Sequence, residues 1–391
     1  MERRRRAGKP RQDNRFQMVA TTLEGLEKVL AKELTMIGGN DVRTGKRAVY
    51  FSADQDLVYK ANLRLRTALR ILKPLKKFRA ENEDDFYDGI ASIDWTEIFD
   101  VDKSFAIKTA VSGRYFTHSH FAALKCKDAI VDQFREKLNE RPSIETREPD
   151  LVFHVKIHRD QVTVSLDSSG VPLNKRGYRQ PRAIAPLNEC LAAGMLMIAG
   201  YEGKRNFVDG MCGSGTICIE AALIANKIAP GLLREDFAFM HWKDFNSELY
   251  EIIHNATVNR IKDSGLQIMG YDHSMASVKL ARKAAEAAGV DEAINFRITD
   301  FFDEDPPEAP GILVMNPPYG ERIKIRDIEV MYNDIGDKFK QAYPGYQAWL
   351  LSGHEEAMKS VGLRTFDTHH LVNGKIDCRF SGYRIYSGKK V

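Results

Sequence analysis

The apolar stretch Ile312-Leu313-Val314-Met315, running directly into Asn316-Pro317-Pro318-Tyr319-Gly320, constrains this chain more than any other segment. A continuous apolar run that breaks at a proline pair reads as a buried parallel strand opening into a rigid loop. Each proline fixes its own φ and removes a backbone donor, so the nearby carbonyls are not tied into a local helix. What remains is an amide side chain, a freed carbonyl and an aromatic face at the carboxyl end of a strand, where open α/β sheets hold their ligands. Two oxygen acceptors and a stacking ring suit a planar substrate bearing an exocyclic amine. The acceptors hold the two amine protons and turn the nitrogen lone pair towards an electrophile. Taken alone, the same run reads equally well as a Pro-Pro-Tyr turn on a surface loop.

The segments upstream favour the first reading. Asn206-Phe207-Val208-Asp209 is a strand that enters the turn Gly210-Met211-Cys212-Gly213-Ser214-Gly215-Thr216 and then an apolar helix, Ile217 to Asn226. A glycine-rich turn between strand and helix lets a ligand approach the backbone at the helix N-terminus. The spacing G-x-x-G-x-G is not the dinucleotide fingerprint, and a carboxylate at the strand end would repel a pyrophosphate. It can accept from an ammonium or hydroxyl group, and S-adenosylmethionine carries such groups without a phosphate. The next strand, Gln267 to Tyr271, ends in Asp272, placed for two ribose hydroxyls. The strand Asn295 to Ile298 leads to Asp300, placed for an adenine amine, and the following strand delivers Asn316. Any one of these acids alone would read as a helix cap. Four polar residues in register at successive strand ends point instead to a methyl-donor site.

With 391 residues, 43% hydrophobic and 29% charged, the chain has core enough for two or more domains. No apolar segment reaches the length of a membrane span, and the first residues are arginine-rich, so neither a membrane nor a secretory leader is expected. Cys126, Cys190, Cys212, Cys218 and Cys378 form no pair or cluster with zinc spacing, so reduced thiols, no metal and a cytoplasmic location are expected.

The formal charge of +4 is uneven. Residues 1–15 carry seven basic side chains against two acidic ones and read as a disordered basic tail. From Leu57 to Ala80 there are eight basic residues and no acidic one: Lys60, Arg64, Arg66, Arg70, Lys73, Lys76, Lys77 and Arg79. Leu57, Ala61, Arg64 or Leu65, Ala68, Leu69 and Leu72 recur at helical spacing, which predicts that part of this block is an amphipathic helix with a basic outer face for nucleic acid. Residues 16–165 alternate strands and helices as a small α+β region. A Gly-, Pro- and base-rich linker follows at 166–186, carrying Lys175, Arg176 and Arg179. Beyond it, from 187 to 391, strands and helices alternate as in a doubly wound, mostly parallel sheet. The long insertion from Lys227 to Ser264 carries Trp242, for which core packing is expected ahead of substrate contact.

These stretches resemble the motifs of class I, Rossmann-like amino methyltransferases. Asn316-Pro317-Pro318-Tyr319-Gly320-Glu321-Arg322, together with Leu173 to Arg179 and Ala185 to Glu189, is similar to the THUMP-domain guanine-N2 RNA methyltransferases, above all those of bacterial 23S ribosomal RNA. Ala61 to Ala68 and Ile93-Asp94-Trp95 resemble that family's N-terminal region. The resemblance implies a ferredoxin-like subdomain at 16–60, a THUMP RNA-binding domain at 61–165 and a seven-stranded catalytic domain at 187–391. By it, Asp209, Gly210, Gly213 and Gly215 line the methionine side of S-adenosylmethionine, Asp272 holds the ribose and Asp300 the adenine. Asn316, Pro317, Pro318 and Tyr319 take the target base, with Asn316 also beside the cofactor. Lys60, Arg64, Arg66, Lys73, Lys76, Lys77, Arg176 and Arg179 are the expected RNA contacts. Some members carry a second methyltransferase domain, and that modification is not carried over to this chain.

The expected partner is RNA, as 23S ribosomal RNA or a large-subunit precursor. Transfer RNA is the nearest rival. Adenine in DNA and a protein glutamine suit the same acceptor loop less well with a basic, THUMP-like N-terminal half. A non-catalytic RNA-binding or assembly factor would be expected to lose the glycine turn or the Asn-Pro-Pro-Tyr run, and both are intact.

Overall fold

The computed structural model describes residues 15–113, 115–179, 187–318 and 325–386. The basic tail (apart from Arg15), linker residues 180–186 and Tyr319 lie outside the described residues.

Alternating half-buried strands build a first sheet from β1 (Phe16–Thr21), β2 (Asn40–Gly45), β3 (Ala48–Ala53), β4 (Arg70–Arg79), β5 (Phe105–Ser112), β6 (Leu151–His158) and β7 (Gln161–Asp167). Its order is β2-β3-β1-β4-β7-β6-β5, so the ferredoxin-like and THUMP regions share one continuous sheet. Only the β5–β6 pairing is parallel among these strands.

The second sheet comprises β8 (Asn206–Asp209), β9 (Ile268–Asp272), β10 (Ile294–Ile298), β11 (Gly311–Met315), β12 (Gln347–Ser352), β13 (Thr365–Asn373) and β14 (Ile376–Arg384). The order is β10-β9-β8-β11-β12-β14-β13; the first four pairings are parallel and the last two antiparallel, so β14 runs against the other six strands. The apolar run that becomes β11 is buried along its whole length, as a central strand covered on both faces must be. Strand order reverses between β8 and β11, which sets the crevice for a ligand at their carboxyl ends. This is the Rossmann-like arrangement.

Part of the basic block is a helix, as expected, and part is a strand. Asp54 caps a helix at Gln55–Arg64 by accepting from Leu57 N at 3.0 Å. The chain then crosses Leu65–Leu69 and becomes β4. The strand prevails because both flanks offer pairing partners, β1 (Leu72 opposite Val19) and β7 (Lys77 opposite Thr163). Pro74, which cannot donate, sits at a register shift of the β7 ladder. The helical spacing of Leu57 through Leu72 therefore spanned three kinds of backbone. The seam expected at 60/61 falls inside the helix, and that at 165/166 falls inside β7.

The insertion docks on the N-terminal half. Phe237, Phe239, Trp242 and Ile253 pack into the core of the first sheet, and the Tyr59 and Phe239 rings lie 4.7 Å apart. At Gly231 a Cβ would stand 2.5 Å from Leu63 Cα, so this close backbone approach requires glycine. Trp242 is a core residue that joins the two halves.

Candidate functional site

The glycine turn after β8 is shaped by two left-handed residues, Gly213 (φ +52°) and Gly215 (φ +80°). Gly215 begins the helix Thr216–Ala225 and leaves its N-terminal amides without a side-chain cap. A Cβ on Gly215 would meet Phe296 and Ala281, and one on Gly210 would meet Phe301 at 2.3 Å. At Gly213 nothing lies within 4 Å, so the backbone there faces open space.

Asp209 closes β8 and is 1% exposed. Its Oδ1 accepts from Met211 N at 3.3 Å, while Oδ2 is buried with no partner. Burial pushes this carboxyl up to about 8, and the neighbouring Asp272 charge adds to the rise. Asp272 closes β9. Its two oxygens accept from Gly213 N and Ser274 N, each at 2.9 Å, tying the glycine turn to the adjacent strand. An ionised carboxylate has about four lone-pair sites, so roughly two remain for a ligand. Asp300 is exposed and caps a short 3₁₀ turn by accepting from Phe302 N at 3.1 Å. The fourth group, Asn316, directly follows β11, and its Oδ1 is buried without a partner. Pro317 is buried and Pro318 exposed.

Two of these four strand-end residues thus hold a buried oxygen that the protein leaves unmet. Orphans of this kind cost about 1–3 kcal/mol each. They lie on neighbouring strands, at the reversal point of the sheet. The acceptors, the uncapped helix end and the open backbone at Gly213 fit a ligand rich in amine and hydroxyl donors. Among the described residues no group of three or more His, Cys, Asp or Glu is placed to hold a metal, and no helix is long and apolar enough to cross a membrane.

The expected RNA contacts divide. Arg66 turns inward: its Nη2 donates to Ile228 O at 2.7 Å and to Leu223 O, and no phosphate contact is open to those bonds. Arg176 is 1% exposed, paired with Glu220 at 3.3 Å and donating to Arg66 O at 2.5 Å. Burial opposes its charge, but Glu220 outweighs burial and holds the guanidinium above its ordinary value. Both arginines join the halves of the molecule and are corrected from RNA contacts to internal ties. Arg179 donates to Glu189 at 2.8 Å and to Leu187 O. Lys60 pairs with Asp56 at 2.6 Å, one residue outside the acid-free window. Lys73 lies over the Phe16 and Trp242 rings and 3.6 Å from Asp244, and Lys76 donates to Ser92. Lys77 and Arg64 have no ion-pair or hydrogen-bond partner for their side chains among the described residues.

Glu220 was missed, although it left a signal. It is the one charged residue in Thr216–Ala225 and is fully buried, so it needs a cation from elsewhere. Arg176 and the Tyr178 hydroxyl, at 3.0 Å, answer it.

Residues 176–381 match the family model of the RMKL-like methyltransferase domain, residues 80–167 the THUMP domain and residues 17–72 the RlmL ferredoxin-like domain. The chain is 36% identical over 386 residues to ribosomal RNA large subunit methyltransferase K/L of Syntrophotalea carbinolica, covering 95% of this chain and 54% of that protein. It therefore spans about half the length of that relative. A Synechocystis protein described as an RNA methyltransferase is 36% identical over 369 residues, with 94% and 96% covered. Among solved structures, a protein described as a methyltransferase and complexed with SAH superposes with a TM-score of 0.88 at 28% identity, covering 97% of this chain and all of that one. A possible methylase from Clostridium difficile gives 0.87 at 29%, with the same coverage. The chain belongs to the RMKL-like methyltransferase family, with a ferredoxin-like domain and a THUMP domain ahead of its methyltransferase domain.

Proposed function

We propose that this chain methylates the N2 amine of a guanine in RNA, with S-adenosylmethionine as donor and 23S ribosomal RNA as substrate, in the cytoplasm. The observation that carries this reading is the buried, unpartnered Oδ1 of Asn316 at the end of the central strand. An acceptor left unmet inside a protein has a use for a donor, and an exocyclic amine brings two.

S-adenosylmethionine, when bound, supplies an electrophilic methyl group. The chain's own residues do the rest. Asp209 offers its free Oδ2 to an ammonium, and Asp272 offers its spare lone pairs to ribose hydroxyls. Asp300 keeps one oxygen for an adenine amine. Gly210, Gly213 and Gly215 keep side chains out of the ligand's way. Asn316 Oδ1 and the Pro317 carbonyl accept the two amine protons, which leaves the nitrogen lone pair aimed outward; Tyr319 stacks on the base beside Pro318. Alignment supplies the rate, and no strong base is required because the amine proton becomes acidic as nitrogen is alkylated. The base must be single-stranded or flipped to reach this loop. The THUMP region recognises RNA by shape, since duplex RNA presents little readable sequence.

Single-turnover methylation of unmodified 23S ribosomal RNA tests the assignment. Asn316→Ala lowers the rate by about a hundredfold to a thousandfold, the scale of a lost oxyanion donor, while cofactor-product affinity stays near the parent's. A rate within a fewfold of the parent removes Asn316 from the mechanism. Mass mapping of ribosomal and transfer RNA from cells lacking the protein separates the two RNA substrates.

A further inference from the structure

A cleft of about 530 Å³ opens at the seam between the halves of the molecule, away from the strand ends described above. Glu33, Arg64 and Arg66 line it from the ferredoxin-like side, and Tyr201, Lys227 and Arg260 from the methyltransferase side. Lys227 stands just past the C-terminus of Thr216–Ala225, the helix whose N-terminus carries the glycine turn. Ten helical residues separate the two ends by about 15 Å, so the cleft and the catalytic edge lie at opposite ends of that helix.

Its charges are unbalanced. The side chains of Arg64, Lys227 and Arg260 have no carboxylate or carbonyl partner among the described residues. Arg66 is anchored through Nη2 only, and its Nη1 is sealed from water without an acceptor. The two acids of the lining are already engaged. Glu33 accepts from Arg66 N, Thr67 N and Thr67 Oγ1, and Glu202 pairs with Lys204 at 2.6 Å. Burial, and then the Arg260 charge, lower the Arg64 guanidinium below its ordinary value, and both side chains line the same cleft. A cleft lined by one sign of charge focuses its field and raises the local concentration of anions. The planar donors of arginine match phosphate oxygens in particular.

We propose that this cleft binds a phosphate group, held by Arg64, Lys227 and Arg260. The source committed to is the backbone of the RNA, bound at a point remote from the reacting base; a free phosphorylated ligand shares the chemistry and forms the second arm of the test. This goes beyond the methyl-transfer reading and rests on it only in taking RNA as the polymer.

The experiment uses the full chain and the double variant Arg64→Gln, Arg260→Gln, whose side chains both border solvent. RNA affinity is measured against salt with a 23S ribosomal RNA fragment, and inorganic pyrophosphate is titrated by calorimetry. Binding of S-adenosylhomocysteine and circular dichroism report the fold. With a backbone phosphate in the cleft, the slope of log affinity against log salt falls by about one to two, roughly one for each lost contact. Pyrophosphate that binds the parent and not the variant, with an unchanged RNA slope, assigns the site to a free phosphorylated ligand. An unchanged slope together with equal pyrophosphate binding, or none, overturns the proposal. Should the double variant unfold, Lys227→Gln replaces it, with the same outcomes. A parent chain that binds as expected in both measurements and yet transfers no methyl group to the RNA would count against the methyl-transfer reading alone.

Discussion

Asp167 at the end of β7 and Asp209 at the end of β8 are the same residue type, equally buried, and opposite in character. Around Asp167 the first sheet supplies everything a carboxylate needs: Arg70, His154 Nε2 at 3.0 Å and Ser169 N at 2.8 Å. Burial alone would raise this group, but its partners outweigh burial and hold it below the ordinary carboxylate range. Asp209 has one backbone donor, a like charge nearby and one oxygen with no partner. The carboxylate of the first sheet is met within the protein, whereas at the ends of β8 and β11 Asp209 and Asn316 each keep a buried oxygen unmet. Buried unmet acceptors also occur away from that edge, at Glu189 and Glu220, so it is their convergence at the reversal point of the sheet that marks where a ligand is expected.

The sharpest way to break this contrast is pH. Asp209, raised to about 8 from an unfolded value near 3.8, keeps its proton in the folded state while the unfolded chain loses one. Its effect on stability is therefore unfavourable and grows between pH 4 and pH 8, by about 1.4 kcal/mol per unit. Asp167 has the opposite sign. Its contribution is present above its unfolded value and is lost as acid carries the protein through the lowered folded one. Asp209→Asn should accordingly gain stability over the parent in denaturant titrations, more at pH 8 than at pH 5, while losing affinity for S-adenosylhomocysteine. An advantage that did not grow with pH would contradict the assignment of a neutral Asp209.

Asp167→Ala comes next in size. It leaves Arg70 without its carboxylate in a partly buried position and should cost about 3–5 kcal/mol in urea unfolding at pH 7, with cofactor-product binding retained. A loss below about 1 kcal/mol would show that the first sheet does not depend on this network.

Asp272→Ala is smaller, because part of that carboxylate works within the fold. It removes the acceptor of Gly213 N together with the sites for two hydroxyls, and should weaken S-adenosylhomocysteine by about 1–3 kcal/mol in calorimetry. Unchanged affinity would take Asp272 out of the cofactor site.

The same contrast explains what the sequence could and could not disclose. The strand ends at Asp209, Asp272, Asp300 and Asn316 were legible because each depends on a few consecutive residues: an apolar run, a turn, a polar residue. The glycine turn was legible for the same reason, since Gly213 and Gly215 adopt backbone angles that other residues resist. Two expected RNA contacts, Arg66 in the basic block and Arg176 in the linker, turn inward because the fate of an arginine is decided far away in the chain. Arg66 ends on Leu223 and Ile228, 157 and 162 residues distant, and Arg176 on Glu220, 44 residues distant. Composition counts a buried arginine and an RNA-facing one alike. Helical periodicity found the helix at Gln55–Arg64 but ran on past it, because β4 takes its conformation from β1 and β7 on either side of it.

The smallest expected effect sharpens the contrast within that block. Lys60 and Lys77 both counted as bases facing RNA, but Lys60 is held by Asp56 at 2.6 Å, whereas Lys77 has no partner among the described residues. An exposed ion pair is worth about 0–1 kcal/mol, so neither Lys60→Ala nor Lys77→Ala should move the unfolding midpoint much. RNA binding separates them. A lysine already neutralised by a carboxylate releases few counterions when it meets a phosphate, because binding must first displace that carboxylate. A free lysine contributes in full, so Lys77→Ala should reduce the salt slope by about one and Lys60→Ala by much less. Filter-binding titrations of both variants across salt, on one 23S ribosomal RNA fragment, decide between them. Equal slopes would mean that the Lys60–Asp56 pair opens freely on the RNA, and that unmet charge does not select the contacts on this face.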